Sequence, residues 1–277
     1  MDKMIFFTDL DDTLLNTAKE ISPGNREAID EMRSRGHLFC ISTGRALASA
    51  RWQAQLLGLH GEGCYIIAYN GGVIYDCAAD QVIYRQGLSA DLVRMTFDEA
   101  HAFGVPVQTY GQDDTVLTER DTPALHTYMK IQNLGYRIVD DVTKYMGETA
   151  PKVLFVEYGN PELVHRFRDS LAPKLQGQAD LFLSHIDMLE CVPPGINKGA
   201  AVRYLCDHLG IPIENSVAAG DAENDLSMIQ AAHVGCAMIN GEEPVKAAAD
   251  YVTLNDCDHD GVAEILYRFI LGGEAAL

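Results

Sequence analysis

The feature that most constrains this chain is a rhythm of short apolar runs and amphipathic stretches, present at both ends and broken in the middle. From Met4 to Tyr75 the pattern alternates strand, helix, strand, helix, strand. Met4-Ile5-Phe6-Phe7 is the first buried-type run, and Ser22-Pro23 reads as an N-cap followed by a first helical residue. Ala28, Ile29 and Met32 share one helical face, and Gly36 closes the helix. His37–Ser42 is a second strand, Ala46–Leu57 a helix and Tyr65–Ala68 a third strand. Asn70-Gly71-Gly72 predicts a tight hairpin into Val73-Ile74-Tyr75. The rhythm returns at Lys198, with helices over 198–209, 225–232 and 262–271 and strands over 216–219 and 234–238. Strands that alternate with helices read as βαβ units built on a parallel sheet.

Between these ends the order changes. Helices over 89–103, 123–133 and 161–173 are separated by extended stretches at 105–110, 115–118, 152–158 and 181–184. Two strands between successive helices fit a compact α+β unit rather than a βαβ continuation. The expected division is a core of residues 1–82 and 191–277 and a smaller insert of residues 83–190. The length of 277 residues suits two domains.

Charge and cysteine content exclude several classes. Forty acidic residues against 21 basic leave a net charge of -19, the reverse of the basic patches that nucleic-acid binding needs. An anionic substrate stays admissible, because one metal ion and a few local cations dominate inside a cleft. The seven cysteines lack any Cys-x-x-Cys spacing, and the nine histidines show no metal-ligand spacing, so zinc is not expected. A reducing cytosolic setting is expected. No apolar stretch approaches the ~20 residues that span a bilayer, and Asp9 follows too soon for a signal peptide.

Four segments carry chemistry, and three follow expected strands. Asp9-x-Asp11 puts two carboxylates one residue apart, which is costly unless a cation or phosphoryl group is held between them. Asp9 can attack phosphorus and Asp11 can move a proton while a metal neutralises the crowded charge. An EF-hand loop fits poorly, since Thr13 and Leu14 stand where an acid and a Gly are needed. Ser42-Thr43-Gly44-Arg45 can offer hydroxyl and amide donors to a phosphate, although a helix N-cap explains it equally well. Lys198, behind Asn197, opposes the macrodipole at a helix start, which an anionic partner would justify. Gly220-Asp221-Ala222-Glu223-Asn224-Asp225 follows a small-residue strand, where parallel sheets bind ligands. Asn70 is a further core-side contact candidate.

In this order the four segments resemble the haloacid dehalogenase superfamily, and most closely its Cof-like phosphatases with an inserted α/β cap; the resemblance implies a doubly wound, Rossmann-like α/β core with a smaller α+β cap domain inserted. The resemblance rests on Phe7–Leu14, Thr43-Gly44-Arg45, Lys198-Gly199 and Gly220-Asp221-x-x-Asn224-Asp225, and spans nearly the whole chain. It implies Asp9 as nucleophile, Asp11 as general acid then base, and Mg²⁺ held by Asp9, the Asp11 carbonyl and Asp221. It also implies phosphate contacts from the Leu10 and Gly44 amides, Thr43, Lys198 and Asn224, with Asp225 and Arg45 supporting. Ser42 is the second choice for the hydroxyl. The implied partner is a small phosphorylated metabolite, commonly a sugar phosphate, with neither nucleic acid nor membrane, and a monomer or weak homo-oligomer is expected. Rival readings are a phosphomutase or sugar-specific phosphatase of the same superfamily, a receiver-type phosphate acceptor, and a non-catalytic sugar-phosphate-binding regulator.

Overall fold

The structure, a computed structural model, describes residues 2–132 and 134–272. Contacts sort the chain into two compact units. The first comprises Met1–Thr43, Ala50–Ile83 and Asn197–Leu277, the second Gly44–Ser49 and Tyr84–Ile196.

The first unit opens with β1 (Ile5–Thr8), α1 (Pro23–Ser34) and β2 (Leu38–Ser42), then α2 (Leu47–Leu56), inside which the boundary falls. It continues through β3 (Cys64–Ala68), β4 (Val73–Asp76) and β5 (Gln81–Arg85). Pro23 starts α1, and Asn25, Ala28, Ile29 and Met32 form its buried face. Ser22 sits at the N-cap position, but its hydroxyl donates to Asp260 Oδ1 instead of serving its own helix. The expected hairpin is present: Ala68 pairs with Val73, and Tyr69 and Asn70 take left-handed backbone, φ 53° and 55°.

The second unit contains β6 (Leu88–Ser89), α3 (Ala90–Phe103), β7 (Val107–Tyr110), β8 (Val116–Thr118), α4 (Pro123–Gln132) and β9 (Tyr136–Ile138). It is completed by β10 (Thr149–Ala150), β11 (Val153–Val156), α5 (Pro161–Leu175), β12 (Asp180–His185) and β13 (Met188–Val192). Asn133, the expected end of α4, lies outside the described residues. Six strands form a sheet in the order β12-β13-β11-β7-β8-β9, and β10 pairs separately with β6. Phe97 of α3, Phe155 of β11 and Phe167 of α5 are core residues, each contributing about 1.5–3 kcal/mol by burial. Helix α5 runs past Pro173, where the sequence predicts its end, because Leu171 and Leu175 are both buried and hold the last turn. Strand β13 escapes the sequence reading because Glu190 interrupts its apolar run; in the fold Glu190 is buried against Lys152 Nζ at 2.8 Å.

The chain returns to the first unit with α6 (Lys198–Leu209), β14 (Ser216–Gly220), α7 (Leu226–Ala231), β15 (Val234–Ala237) and α8 (Glu243–Ala248). It ends with β16 (Tyr251–Val252) and α9 (Gly261–Leu266), which continues as a π-helical turn to Leu271. The eight-stranded sheet has the order β16-β15-β14-β1-β2-β3-β4-β5. Strands β1, β2, β3, β14, β15 and β16 run parallel, and β4 is antiparallel to β3. From β1 the winding runs outward through β2 and β3, and the returning chain starts on the other side of β1 with β14, so the order reverses between β1 and β14. In a doubly wound sheet ligands bind there, beyond the carboxyl ends of the strands.

Candidate active site

The site residues of the first unit follow directly from that reversal. Thr8 of β1 is in register with Ala219 of β14 and Ile41 of β2. The next residues along these three strands therefore lead to Asp9, Gly220-Asp221 and Ser42-Thr43. The Asp9 amide still donates to the Ala219 carbonyl at 2.9 Å, which fixes the carboxylate at the strand end. Beyond it the chain turns through Leu10, whose carbonyl accepts from the Leu15 amide at 2.8 Å, with Asp12 in left-handed backbone at φ 60°.

Lys198 is the centre of the site. Asn197 caps α6 by accepting from the Ala200 amide at 2.8 Å, so Lys198 enters as the first helical residue. Its side chain is wholly buried, with Nζ 2.5 Å from Asp9 Oδ1 and 2.6 Å from Asp225 Oδ1. The other Asp225 oxygen accepts the amides of Asp221 and Ala222 at 3.1 and 3.2 Å. Asp225 is thus fully occupied in bracing the Asp221 turn and Lys198. Two glycines make this packing possible. A Cβ on Gly220 would lie 2.4 Å from Asp225 Cβ, and one on Gly199 would lie 2.1 Å from the Ser227 carbonyl oxygen.

Carboxylate oxygens of Asp9, Asp221 and Asp225 approach within 4.8 Å of one another, a group able to hold a metal ion. Burial pushes the Asp9 carboxyl well above the usual range; Lys198 pulls it down, while Asp225 and Asp221 push it further up. Asp221 is pushed up to about 7, mostly by burial, with Thr13 opposing and Asp225 adding to the rise. Lys198 is raised despite its burial, because Asp225 and Asp9 favour the ammonium. The hard oxygen donors and their mutual repulsion are what a divalent cation would relieve.

The remaining expected residues are distributed around this centre. Asn224 Nδ2 donates to Asn70 Oδ1 at 3.2 Å, and the Asn70 amide donates to the Thr43 carbonyl at 3.0 Å. Asn70 thereby links the loop after β2 to the loop after β14. Ser42 is buried within β2, and its hydroxyl has no hydrogen-bond partner among the described residues. Gly44 and Arg45 fall in the segment that groups with the second unit, where the Gly44 carbonyl accepts from Lys152 Nζ at 2.9 Å. Asp11 is partly exposed and pairs with Lys19 at 3.2 Å. Three further side chains contribute to the site. Thr13 donates to Asp221 Oδ1 at 2.6 Å, Asn240 Nδ2 donates to the Asp12 carbonyl at 2.8 Å, and Lys19 faces Asp11. Asn240 follows β15, and the strand-end rule that singled out Asp221 would have found it.

Known proteins show what the chain is similar to. The family model of the haloacid dehalogenase-like hydrolases matches residues 6–266. The chain is 32% identical over 271 residues to Endoribonuclease YBEY, chloroplastic, of Arabidopsis thaliana, covering 95% of this chain and 46% of that protein. It thus spans about half the length of that relative. It is 29% identical over 273 residues to 5-amino-6-(5-phospho-D-ribitylamino)uracil phosphatase YcsE of Bacillus subtilis (strain 168), covering 98% of this chain and 97% of that one. A crystal structure of a haloacid dehalogenase-like hydrolase from Bacteroides thetaiotaomicron superposes with a TM-score of 0.87 at 32% identity, covering 96% of this chain and 99% of that one. The chain belongs to the haloacid dehalogenase-like hydrolase family, in its Cof-like branch. Within that family it is a phosphatase, a phosphoric monoester hydrolase.

Proposed function

We propose that this enzyme hydrolyses small phosphorylated metabolites, sugar phosphates foremost, through a phosphoryl group carried on Asp9, with Mg²⁺ as cofactor. The observation that carries the reading is Lys198, a buried ammonium bridging Asp9 and Asp225 beside Asp221. Asp9, Asp221 and the Asp11 backbone carbonyl would hold the ion. Bound there, Mg²⁺ would offset the repulsion between carboxylates and a phosphate dianion and polarise a phosphoryl oxygen.

The residues do the rest. An Asp9 oxygen attacks phosphorus as the ester P–O bond breaks, and Asp11 gives its proton to the departing oxygen. Asp11, now a carboxylate, takes a proton from the water that attacks the aspartyl-phosphate, releasing phosphate and restoring Asp9. Lys198, Thr43, Asn224 and the Leu10 and Gly44 amides hold the phosphoryl oxygens, and Asp225 keeps Lys198 in place. Arg45 supports the Ser42-Thr43-Gly44 segment. Residues 1–82 and 191–277 are the catalytic core of this reading, and 83–190 the cap that selects the leaving group. A cytoplasmic location is in keeping with seven free thiols. YcsE, by its name, acts on a phosphorylated ribityl compound, in keeping with a small polyol or sugar phosphate here.

The direct test is phosphate release from a panel of phosphorylated metabolites with and without Mg²⁺. Turnover is expected only with the metal, and Ca²⁺ should substitute poorly because it prefers more ligands and looser geometry. Full activity in excess chelator would remove the metal from the mechanism.

The metal should also show itself without substrate. An Asp221 carboxyl raised to about 7 keeps, between roughly pH 4 and 7, a proton that the unfolded chain has lost. The metal-free fold therefore loses stability as pH rises through that window, a loss that a bound cation would offset. The Mg²⁺-induced rise in melting temperature should accordingly be larger at pH 8 than at pH 5.5. An equal rise at both values would mean that the ion binds elsewhere.

A further inference from the structure

Lys19 stands outside the four motifs, yet its Nζ lies 3.2 Å from Asp11 Oδ1 and 3.3 Å from Asp12 Oδ1. An exposed pair of this kind contributes little to stability by itself. What distinguishes it is how much of the fold is spent holding it. Lys19 adopts left-handed backbone, φ 61°, which is unfavourable for a residue with a Cβ and persists only where its surroundings impose it. Its turn is closed by three hydrogen bonds. The Lys19 amide donates to the Asn16 carbonyl at 2.8 Å, the Glu20 amide to Asn16 Oδ1 at 2.9 Å, and the Asn16 amide to the Glu20 carbonyl at 2.9 Å.

The same turn is fastened from the far end of the chain. Asp258 Oδ1 accepts both the amide and the hydroxyl of Thr17, each at 2.9 Å. Asp260 Oδ1 accepts the Ser22 hydroxyl at 2.5 Å and the Asn25 amide at 3.1 Å. The acidic turn is itself closed, the Asp256 carbonyl accepting the His259 and Gly261 amides at 3.2 and 3.1 Å. Asp256, Asp258 and Asp260 alternate ahead of Gly261 as in a cation-binding loop. Their carboxylates engage separate protein donors instead, and among the described residues no metal-sized cluster forms there.

We infer that Lys19 is a positioning residue for Asp11, seated by the 16–20 turn and braced through Thr17 by Asp258. The ammonium, set between the carboxylates of Asp11 and Asp12, holds the Asp11 carboxyl in the orientation from which it exchanges a proton with the ester oxygen. This inference rests on the proton-transfer role proposed for Asp11. It concerns the group that serves the leaving oxygen, so its loss should be felt according to how much that oxygen needs a proton. An alkoxide needs one, whereas a nitrophenolate departs without it.

The test is single-turnover formation of the phosphoenzyme at saturating Mg²⁺. It compares the best alkyl phosphate of the panel with para-nitrophenyl phosphate, in wild type, Lys19→Met, Lys19→Arg, Asp258→Ala and Asp11→Ala. Lys19→Met should slow the alkyl ester roughly tenfold, a part of the roughly 10²–10⁴ that a general acid contributes, and the aryl ester by less than about twofold. The KM should hold, Lys19→Arg should restore most of the rate, and Asp258→Ala should show the same contrast more weakly. If Lys19→Met slows both esters equally, or neither, while Asp11→Ala still separates them, the positioning role is overturned and that of Asp11 stands. If Asp11→Ala itself fails to separate the two esters, the proton-transfer role falls, and the inference with it.

Discussion

Asp9→Asn should lower turnover by roughly 10⁴-fold or more, on the scale seen when a covalent nucleophile is removed, and leave the fold intact. The amide is nearly the shape of the carboxylate, so packing at the end of β1 is preserved. It is nonetheless a poor nucleophile and a weaker metal ligand. The substitution removes one of the carboxylates facing Lys198, but Asp225 stays at 2.6 Å and keeps the buried ammonium paired. The melting temperature should therefore change little while phosphate release disappears. In the wild type, borohydride trapping during turnover should mark Asp9 as the phosphorylated residue. Undiminished turnover in purified Asp9→Asn would contradict the covalent route.

Lys198→Met is expected to be the most damaging change to the protein as a whole. The side chain is buried and similar in length, so the loss is that of charge. Asp9 and Asp225 would then face each other and Asp221 with no internal cation, and removing one partner of a buried pair costs about 3–5 kcal/mol. The direction with pH is defined. Buried carboxyls deprived of a cation titrate above their ordinary value, so the deficit should be small near pH 4 and grow toward neutrality as the unfolded carboxylates ionise. Excess Mg²⁺ should recover part of the stability but not the turnover, because the phosphoryl group would still lack the Lys198 contact. The measurement is thermal unfolding against pH with and without Mg²⁺, beside phosphate release. A variant as stable as wild type at neutral pH without metal would mean that the three carboxylates do not depend on Lys198.

How far the site could be read beforehand differs from residue to residue. Asp9, Lys198, Asp221 and Asn224 stood out because their places are dictated locally: a carboxylate directly after a strand, a lysine directly after an Asn cap, and a Gly-Asp turn after a small-residue strand. Asp225 lies four residues beyond Asp221, and in the fold its carboxylate meets Lys198 Nζ at 2.6 Å. Lys19 could not be weighed in the same way, since nothing next to it in the chain distinguishes it from an ordinary turn residue, whereas Asn240 shares the strand-end placement that singles out Asp221.

The sequence by itself determined the alternation of strand and helix at both ends, the change of pattern between them and the four places where chemistry could sit. Those are consequences of short-range physics: the periods of helix and strand, the left-handed turn at Asn70, and the caps at Asn197 and Gly210. Tertiary structure alone decided which groups meet. Thr13 reaches Asp221 across 208 positions, Lys198 reaches Asp9 across 189, and Asp258 holds Thr17 across 241. It likewise decided that Glu190 could sit buried inside β13, because Lys152, 38 positions away, supplies its countercharge. Pairings of that kind follow from sheet register and from which helix covers which strand. Packing selects both through the summed burial of many side chains, and no single residue carries them in its own neighbourhood.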